Sequence, residues 1–133
     1  MGLIGLGYIG KIHLRSCLSL KSAELVAVSD ISRKALNFAK RLGVKKTYTE
    51  YQQLLKDDSI DAVIIALPTH LHLSCAKDVA ESGKHMLLEK PLARNVKEGE
   101  EMLAVMSEYA VTPKSFVGYL KELRLHRMNR VAI

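Results

Sequence analysis

The chain has 133 residues, 48% of them hydrophobic and 26% charged, a balance typical of one domain with a sizeable core. Its two cysteines, Cys17 and Cys75, stand far apart, so we expect neither a disulfide framework nor a metal site. The sequence shows no leader pattern and no apolar run long enough to span a membrane, which favours a cytoplasmic protein without membrane contact.

The formal charge is +6, from 20 basic and 14 acidic residues, and the excess is concentrated near the end of the chain. From Lys114 onward, five basic residues stand against one acidic residue, Glu122. A basic tail can bind nucleic acid, but no groove-reading motif or interleaved aromatic pattern accompanies this one. We therefore expect no nucleic-acid partner, and we treat residues 120–133 as a basic C-terminal tail.

The first predicted strand, residues 1–4, leads into glycines with the spacing of a dinucleotide-binding turn. Gly5 would let the chain turn off the strand, and Gly7 would let a pyrophosphate approach the backbone. Gly10 would let the following helix pack closely on the strand. Glycine triplets also occur in ordinary turns, so the weight of this motif depends on the elements that come after it in the chain.

The helix predicted after this glycine turn (residues 5–10) is expected to bury one stripe of its side chains: Ile9, Ile12, His13, Ser16 and Leu20. We interpret His13 as a packed or rim histidine, because no Cys, His or acidic residue lies near it at metal-ligand spacing.

A second apolar run, residues 25–28, is followed by Asp30, at about the 20-residue offset where an acidic side chain meets the adenosine ribose. The alternative is a surface aspartate that caps the next helix, but Ser32 can supply that cap. A carboxylate at Asp30 favours NAD because it repels the 2′-phosphate of NADP, whereas Arg33 keeps NADP open.

Strands and helices continue to alternate along the rest of the chain. The predicted strands are residues 44–48, 61–67, 85–88 and 115–119, and the predicted helices are residues 35–42, 49–55 with a threonine cap, 71–83 and 96–110. The methionines of the last helix are interpreted as core. Alternation with short connections predicts a single α/β domain over residues 1–119, a doubly wound parallel sheet of the Rossmann type.

Two turns follow the strands predicted near the middle of this sheet. Pro68 and Thr69 open the first, and Glu89-Lys90-Pro91 (the Glu-Lys-Pro turn) forms the second. Ligands of open α/β sheets bind at the carboxyl ends of the strands, so both turns would face a cofactor. The alternatives are a solvent-accessible polar helix start and a solvated Glu-Lys ion pair.

Taken together, the glycine turn, Asp30, residues 68–72 and the Glu-Lys-Pro turn resemble the N-terminal domain of the Gfo/Idh/MocA oxidoreductases. This family includes glucose-fructose oxidoreductase and inositol dehydrogenase, and the resemblance covers residues 1–119. It implies hydride transfer between NAD(P) and a sugar, polyol or related carbonyl compound. It also implies that Lys90 is catalytic and that the Lys90-Pro91 bond is often cis.

The residues predicted to contact the cofactor, from the motifs and from the resemblance together, are Gly5, Gly7, Tyr8, Ile9, Gly10, Asp30, Arg33, Leu67, Pro68, Thr69, His72, Glu89 and Lys90. Beside a nicotinamide cation and partly buried, Lys90 would polarise the reacting oxygen or exchange a proton with it.

Members of the family are similar in having a second domain that completes the substrate site, and the predicted elements leave no residues for one. We therefore expect weak or no turnover from these 133 residues alone. If the tail is helical, its apolar edge would need cover from a second copy or a partner chain. The alternative function is a stand-alone nucleotide-sensing module, which needs the glycine turn and Asp30 but has no use for the Glu-Lys-Pro turn.

Overall fold

The computed structural model describes residues 1–108 and 114–115. The strands in this part of the chain are Gly2–Ile4 (β1), Ala27–Ser29 (β2), Lys46–Tyr48 (β3), Ala62–Ile65 (β4), His85–Leu88 (β5) and Lys114–Ser115 (β6). The helices are Tyr8–Ser19 (α1), Arg33–Arg41 (α2), Tyr51–Leu55 (α3), His72–Glu81 (α4) and Val96–Glu108 (α5). The tail 120–133, and most of the strand predicted at 115–119, lie outside the described residues.

The described strands form one six-stranded parallel sheet in the order β3-β2-β1-β4-β5-β6. The chain builds outward from β1 to β3, then returns to β4 beside β1 and builds outward on the other side. The strand order therefore reverses between β1 and β4, where Leu3 is in register with Ile64. This confirms the predicted doubly wound sheet, and ligands of such sheets bind at the carboxyl ends of the strands where the order reverses.

Helices cover both faces of the sheet. Successive strand residues point to opposite faces, and the central strands carry apolar side chains on both. Leu3 and Ile64 belong to the core under α1 and α2, whereas Ile4 and Ile65 belong to the core under α3, α4 and α5. The central strands read as continuous apolar runs for this reason. The methionines of α5 that the structure buries pack in the second core, which confirms that they are core residues.

The predicted buried stripe of α1 is wrong. Gly10 and Leu14 face the sheet, whereas Ile9 and Ile12 are 43% and 45% exposed. The cause is the close approach of Gly10 to the carbonyl of Gly5, which fixes the rotation of the helix about its axis. A residue four positions later then shares the buried side.

The helix ends agree with the sequence at α2 but not at α3. The Ser32 hydroxyl caps α2 by accepting from the Ala35 amide at 3.3 Å, and the chain leaves this helix at Gly43, whose φ is +96°. The predicted threonine cap of α3 is wrong, because Glu50 occupies the N-cap position and its side chain makes no cap bond.

Three general features of the described residues bear on chemistry. Cys17 and Cys75 are free and buried. Within residues 1–108 and 114–115, no three His, Cys, Asp or Glu side chains converge as a metal site would require. No helix in this part of the chain combines the length and apolar character needed to cross a membrane.

Candidate functional site

Backbone hydrogen bonds continue past the ends of the strands and hold three turns along the carboxyl edge of the sheet. The Gly5 amide donates to the last carbonyl of β2 at 2.8 Å, and the Ala66 amide donates to the last carbonyl of β1 at 2.8 Å. The Glu89 amide donates to the last carbonyl of β4 at 3.0 Å. The predicted site turns after β1, β4 and β5 are therefore neighbours in space.

The glycine turn is closed so tightly that side chains cannot enter it at two positions. Gly5 has a φ of +92°, and a Cβ there would lie 2.5 Å from the carbonyl oxygen of Ala66. A Cβ on Gly10 would collide with the carbonyl oxygen of Gly5. Gly7 differs, because apart from Gly7 itself and its two chain neighbours no described atom lies within 4 Å of the position where its Cβ would be. The absence of a side chain at Gly7 leaves space that the described protein does not fill.

This open space adjoins the N-terminus of α1, which has the features of an anion site. Gly7 is the N-cap and supplies no side-chain bond, and the first turn of this 12-residue helix contains no acidic residue. Tyr8 and Ile9 are 81% and 43% exposed. The first amides of a helix lack intrahelical partners and lie at the positive end of its dipole. The turn therefore fits the pyrophosphate of a dinucleotide.

The Asp30 carboxylate joins the glycine turn to the start of α2. Its Oδ2 accepts from the Leu6 amide at 2.6 Å, and its Oδ1 accepts from the Ser32 amide at 2.7 Å. Each oxygen keeps a further lone pair, so the half-buried carboxylate can still accept from ribose hydroxyls. The cap of α2 belongs to Ser32, and Arg33 is exposed at the first position of that helix.

The turn after β4 brings two of the predicted residues towards solvent and one into the core. Pro68 is exposed and Thr69 is half-buried, in a short 3₁₀ turn that leads into α4. Thr69 does not cap α4, because Leu71 occupies the N-cap position of that helix. His72 is only 1% exposed, so the solvent-accessible helix start does not describe this residue. Leu67, half-buried, accepts from the His72 ring through its carbonyl.

The Glu-Lys-Pro turn does not contain the solvated Glu-Lys pair considered as an alternative. The Glu89 Oε1 lies 2.6 Å from the Nε2 of His13, and each side chain is 12% exposed. The Glu89 Oε2 accepts from the Lys90 backbone amide at 3.1 Å. The Lys90 side chain is exposed, and it makes no ion pair with any described residue. The Lys90-Pro91 peptide bond is cis, as the family resemblance implies.

Sequence reasoning missed the role of His13, which it placed in the core or at its rim. The signal that could have found it is the glycine motif itself. Once Gly10 is required to face the strand, a residue three positions later on the helix lies on nearly the same side. His13 therefore points towards the ends of the central strands, where Glu89 lies.

A family model described as "Oxidoreductase family, NAD-binding Rossmann fold" matches residues 1–119. The chain is 36% identical over 104 residues to myo-inositol 2-dehydrogenase of Thermotoga maritima, covering 77% of this chain and 31% of that protein. It is 33% identical over 130 residues to scyllo-inositol 2-dehydrogenase (NADP(+)) IolU of Bacillus subtilis, and this match covers 93% of this chain and 40% of that protein.

Among solved structures, the fold is similar to scyllo-inositol dehydrogenase from Lactobacillus casei with bound cofactor NAD(H) and scyllo-inositol. The TM-score is 0.83 at 28% identity, and the match covers 92% of this chain and 36% of that one. The chain spans between 31% and 40% of the length of these relatives.

Proposed function

The chain belongs to the Gfo/Idh/MocA oxidoreductases, and from that premise we propose that residues 1–119 hold the cofactor of a dehydrogenase acting on sugars or polyols. The observation that carries the proposal is the arrangement of the carboxyl edge. The open space at Gly7 follows β1, the Asp30 carboxylate follows β2, and the exposed Lys90 follows β5, so these residues lie on both sides of the point where the strand order reverses.

At one end of the cofactor, the pyrophosphate would lie on the amides of the glycine turn and the exposed backbone around Tyr8 and Ile9. Asp30 would accept from the adenosine ribose, which favours NAD. Arg33 lies close by in the chain and could meet a 2′-phosphate, so NADP remains open. The relatives include both types, one solved with bound NAD(H) and one named as an NADP(+) enzyme.

At the other end, the nicotinamide ring would be bordered by Leu67, Pro68, Thr69 and Glu89. When bound, the cofactor supplies the hydride acceptor or donor. Lys90 would donate a hydrogen bond to the substrate oxygen and hold or release the proton that leaves a hydroxyl during oxidation. Its ammonium is exposed and makes no ion pair with a described residue, which supports this role.

We propose that turnover by the 133 residues alone is weak. Lys90 faces solvent, and catalysis at such a group requires a surface that encloses the substrate and excludes water. A second copy or a partner chain that covers the end of the chain, including the basic tail 120–133, would contribute such a surface.

The experiment is a titration of the full chain with NADH and with NADPH, followed by cofactor fluorescence and calorimetry, with Lys90→Ala as the variant. We expect saturable binding that is tighter for NADH, because of the Asp30 carboxylate. Lys90→Ala should retain binding while it lowers any reduction of NAD in the presence of myo-inositol. Failure of the chain to bind either cofactor would refute the proposal.

The same variant separates the enzyme from the nucleotide-sensing alternative. A sensor would bind NADH equally well with and without Lys90, and the wild-type chain would show no polyol-dependent reduction of NAD at any protein concentration. A slow reduction that disappears in Lys90→Ala would exclude the sensor.

A further inference from the structure

We propose that His13 and His72 are positioning residues that hold the two ends of the Glu-Lys-Pro turn and thereby set the place of Lys90. The inference rests on the proposed function, and it assigns a task to two histidines from different helices. One contacts the first residue of the turn and the other contacts the last.

His13 holds the first residue of the turn. Its Nε2 lies 2.6 Å from the Glu89 Oε1, and the two residues are 76 positions apart in the chain. Both side chains are 12% exposed, so water competes little for this contact. Hydrogen bonds to an ionised partner are shorter and stronger than neutral ones. Because His13 lies on α1, the contact joins the helix of the phosphate-binding turn to the turn that carries Lys90.

His72 holds the last residue of the turn. Its Nδ1 lies 3.0 Å from the Pro91 carbonyl oxygen, and its Nε2 lies 2.8 Å from the Leu67 carbonyl oxygen. Both partners are carbonyl oxygens that can only accept, so the ring is the donor in any bond that it makes to them. The side chain is 1% exposed and therefore joins the end of β4 to the Glu-Lys-Pro turn inside the protein.

Lys90 stands between the two held residues. Its own amide donates to the Glu89 Oε2 at 3.1 Å, so the Glu89 carboxylate binds both His13 and the backbone of the turn. The backbone of Lys90 is thus fixed from both sides while its ammonium is exposed. His72 is buried and His13 is engaged with Glu89. Both histidines are therefore better placed to support the turn than to contact the cofactor directly.

The test compares NADH with ADP-ribose, which lacks the nicotinamide. The full chain and the variants His13→Leu, His72→Leu and His13→Gln are titrated with both ligands. A glutamine amide can place an N–H near the position of Nε2, so His13→Gln is the conservative variant. His85→Leu is the matched control, because His85 is exposed at the amino end of β5, on the opposite edge of the sheet.

We expect the Kd for NADH to rise about tenfold in His13→Leu and His72→Leu, the size of one hydrogen bond. The Kd for ADP-ribose should change by less than about twofold, because the phosphate and ribose contacts lie elsewhere. His13→Gln should restore most of the affinity for NADH, and His85→Leu should leave both constants unchanged.

Equal losses for the two ligands, or no loss for NADH, would overturn the inference. Circular dichroism checks that each variant is folded. If His72→Leu does not fold, the inference is tested with His72→Gln, His13→Leu and His13→Gln. If the wild-type chain binds ADP-ribose but not NADH, the positioning roles fail while the phosphate site stands. If it binds neither ligand, the proposed function fails and this inference fails with it.

Discussion

The carboxyl edge of the sheet has two halves that are built in different ways. In the half proposed to bind the phosphates (the phosphate half), after β1 and β2, the main chain lines the turn, and Asp30 accepts from two of its backbone amides. In the half proposed to border the nicotinamide (the nicotinamide half), after β4 and β5, the Glu-Lys-Pro turn is held by side chains from α1 and α4, which are remote in the chain. The first half should therefore be sensitive to added atoms, and the second to lost hydrogen bonds.

The largest expected effect is that of Gly10→Ala, in the phosphate half. The new Cβ would collide with the backbone carbonyl of Gly5, which cannot rotate away as a side chain can. We expect a loss of about 3 kcal/mol in the free energy of unfolding, as for other overpacked sites, and no measurable binding of NADH or ADP-ribose. Chemical denaturation and calorimetry measure the two quantities.

Gly7→Ala is the matched control for this prediction. Beyond its own chain neighbours, its Cβ would meet no described atom within 4 Å, and the φ of Gly7, −63°, suits alanine. We expect the variant to be as stable as the wild type but to bind both ligands more weakly. If Gly7→Ala lowered the free energy of unfolding as much as Gly10→Ala, Gly7 would be required by the fold, as Gly5 and Gly10 are, and not by the ligand.

A smaller effect is expected from Asp30→Ala, which removes a side chain from the phosphate half instead of adding atoms. The variant loses the acceptor of the buried Leu6 amide as well as the proposed ribose contact. We expect both NADH and ADP-ribose to bind about ten- to a hundredfold more weakly. The affinity of Asp30→Asn for both ligands should lie between those of the wild type and Asp30→Ala, because the single oxygen of asparagine can accept from one of the two amides. A loss confined to NADH would contradict the separation of the halves.

The smallest effect on the site is expected from Asp57→Asn, which lies outside both halves. The bond from Lys46 at 2.7 Å, followed by bonds from Ser59, holds the pKa of the Asp57 carboxyl well below its usual range. A carboxyl whose pKa is lowered by folding stabilises the protein above its ordinary pKa of about 4, and this contribution is lost as the pH falls.

We therefore expect Asp57→Asn to lower the Tm at neutral pH, with a difference from the wild type that narrows towards about pH 3. The affinity for NADH should not change. The neighbouring Asp58 is exposed, so Asp58→Asn serves as the control and should leave the Tm unchanged at both pH values. A Tm difference for Asp57→Asn that is the same across this range would show that folding does not lower the pKa of the Asp57 carboxyl.

The two halves also differ in how far they could be predicted from the sequence. The glycine spacing and the offset to Asp30 are local patterns, and they predicted the phosphate half. The alternation of strands and helices predicted the fold of the sheet. The bond between Asp30 and the Leu6 amide was missed because it depends on the exact path of the turn. The contact of His13 with Glu89 was missed because it joins residues 76 positions apart.

A single error in the predicted helix explains part of this difference. The apolar residues of α1 suggested that Ile9 and Ile12 face the core, whereas the packing of Gly10 on the strand turns them towards solvent. Steric exclusion between backbone atoms thus decided the rotation of α1 against its hydrophobic pattern. A prediction that gives close backbone contacts priority over apolar periodicity would have placed Ile9 and Ile12 correctly, whereas His13, at 12% exposure, is the packed or rim histidine that was expected.

The bond between the Asp30 carboxylate and the Leu6 amide also sets a condition on engineering the coenzyme preference. Conversion to NADP begins by removing the carboxylate that repels the 2′-phosphate. In this chain, the same change would leave a buried amide without its acceptor at 2.6 Å, and such an unpaired group costs about 1–3 kcal/mol. Asparagine keeps an oxygen within reach of Leu6 and removes the charge, so it is a better starting point for redesign than alanine.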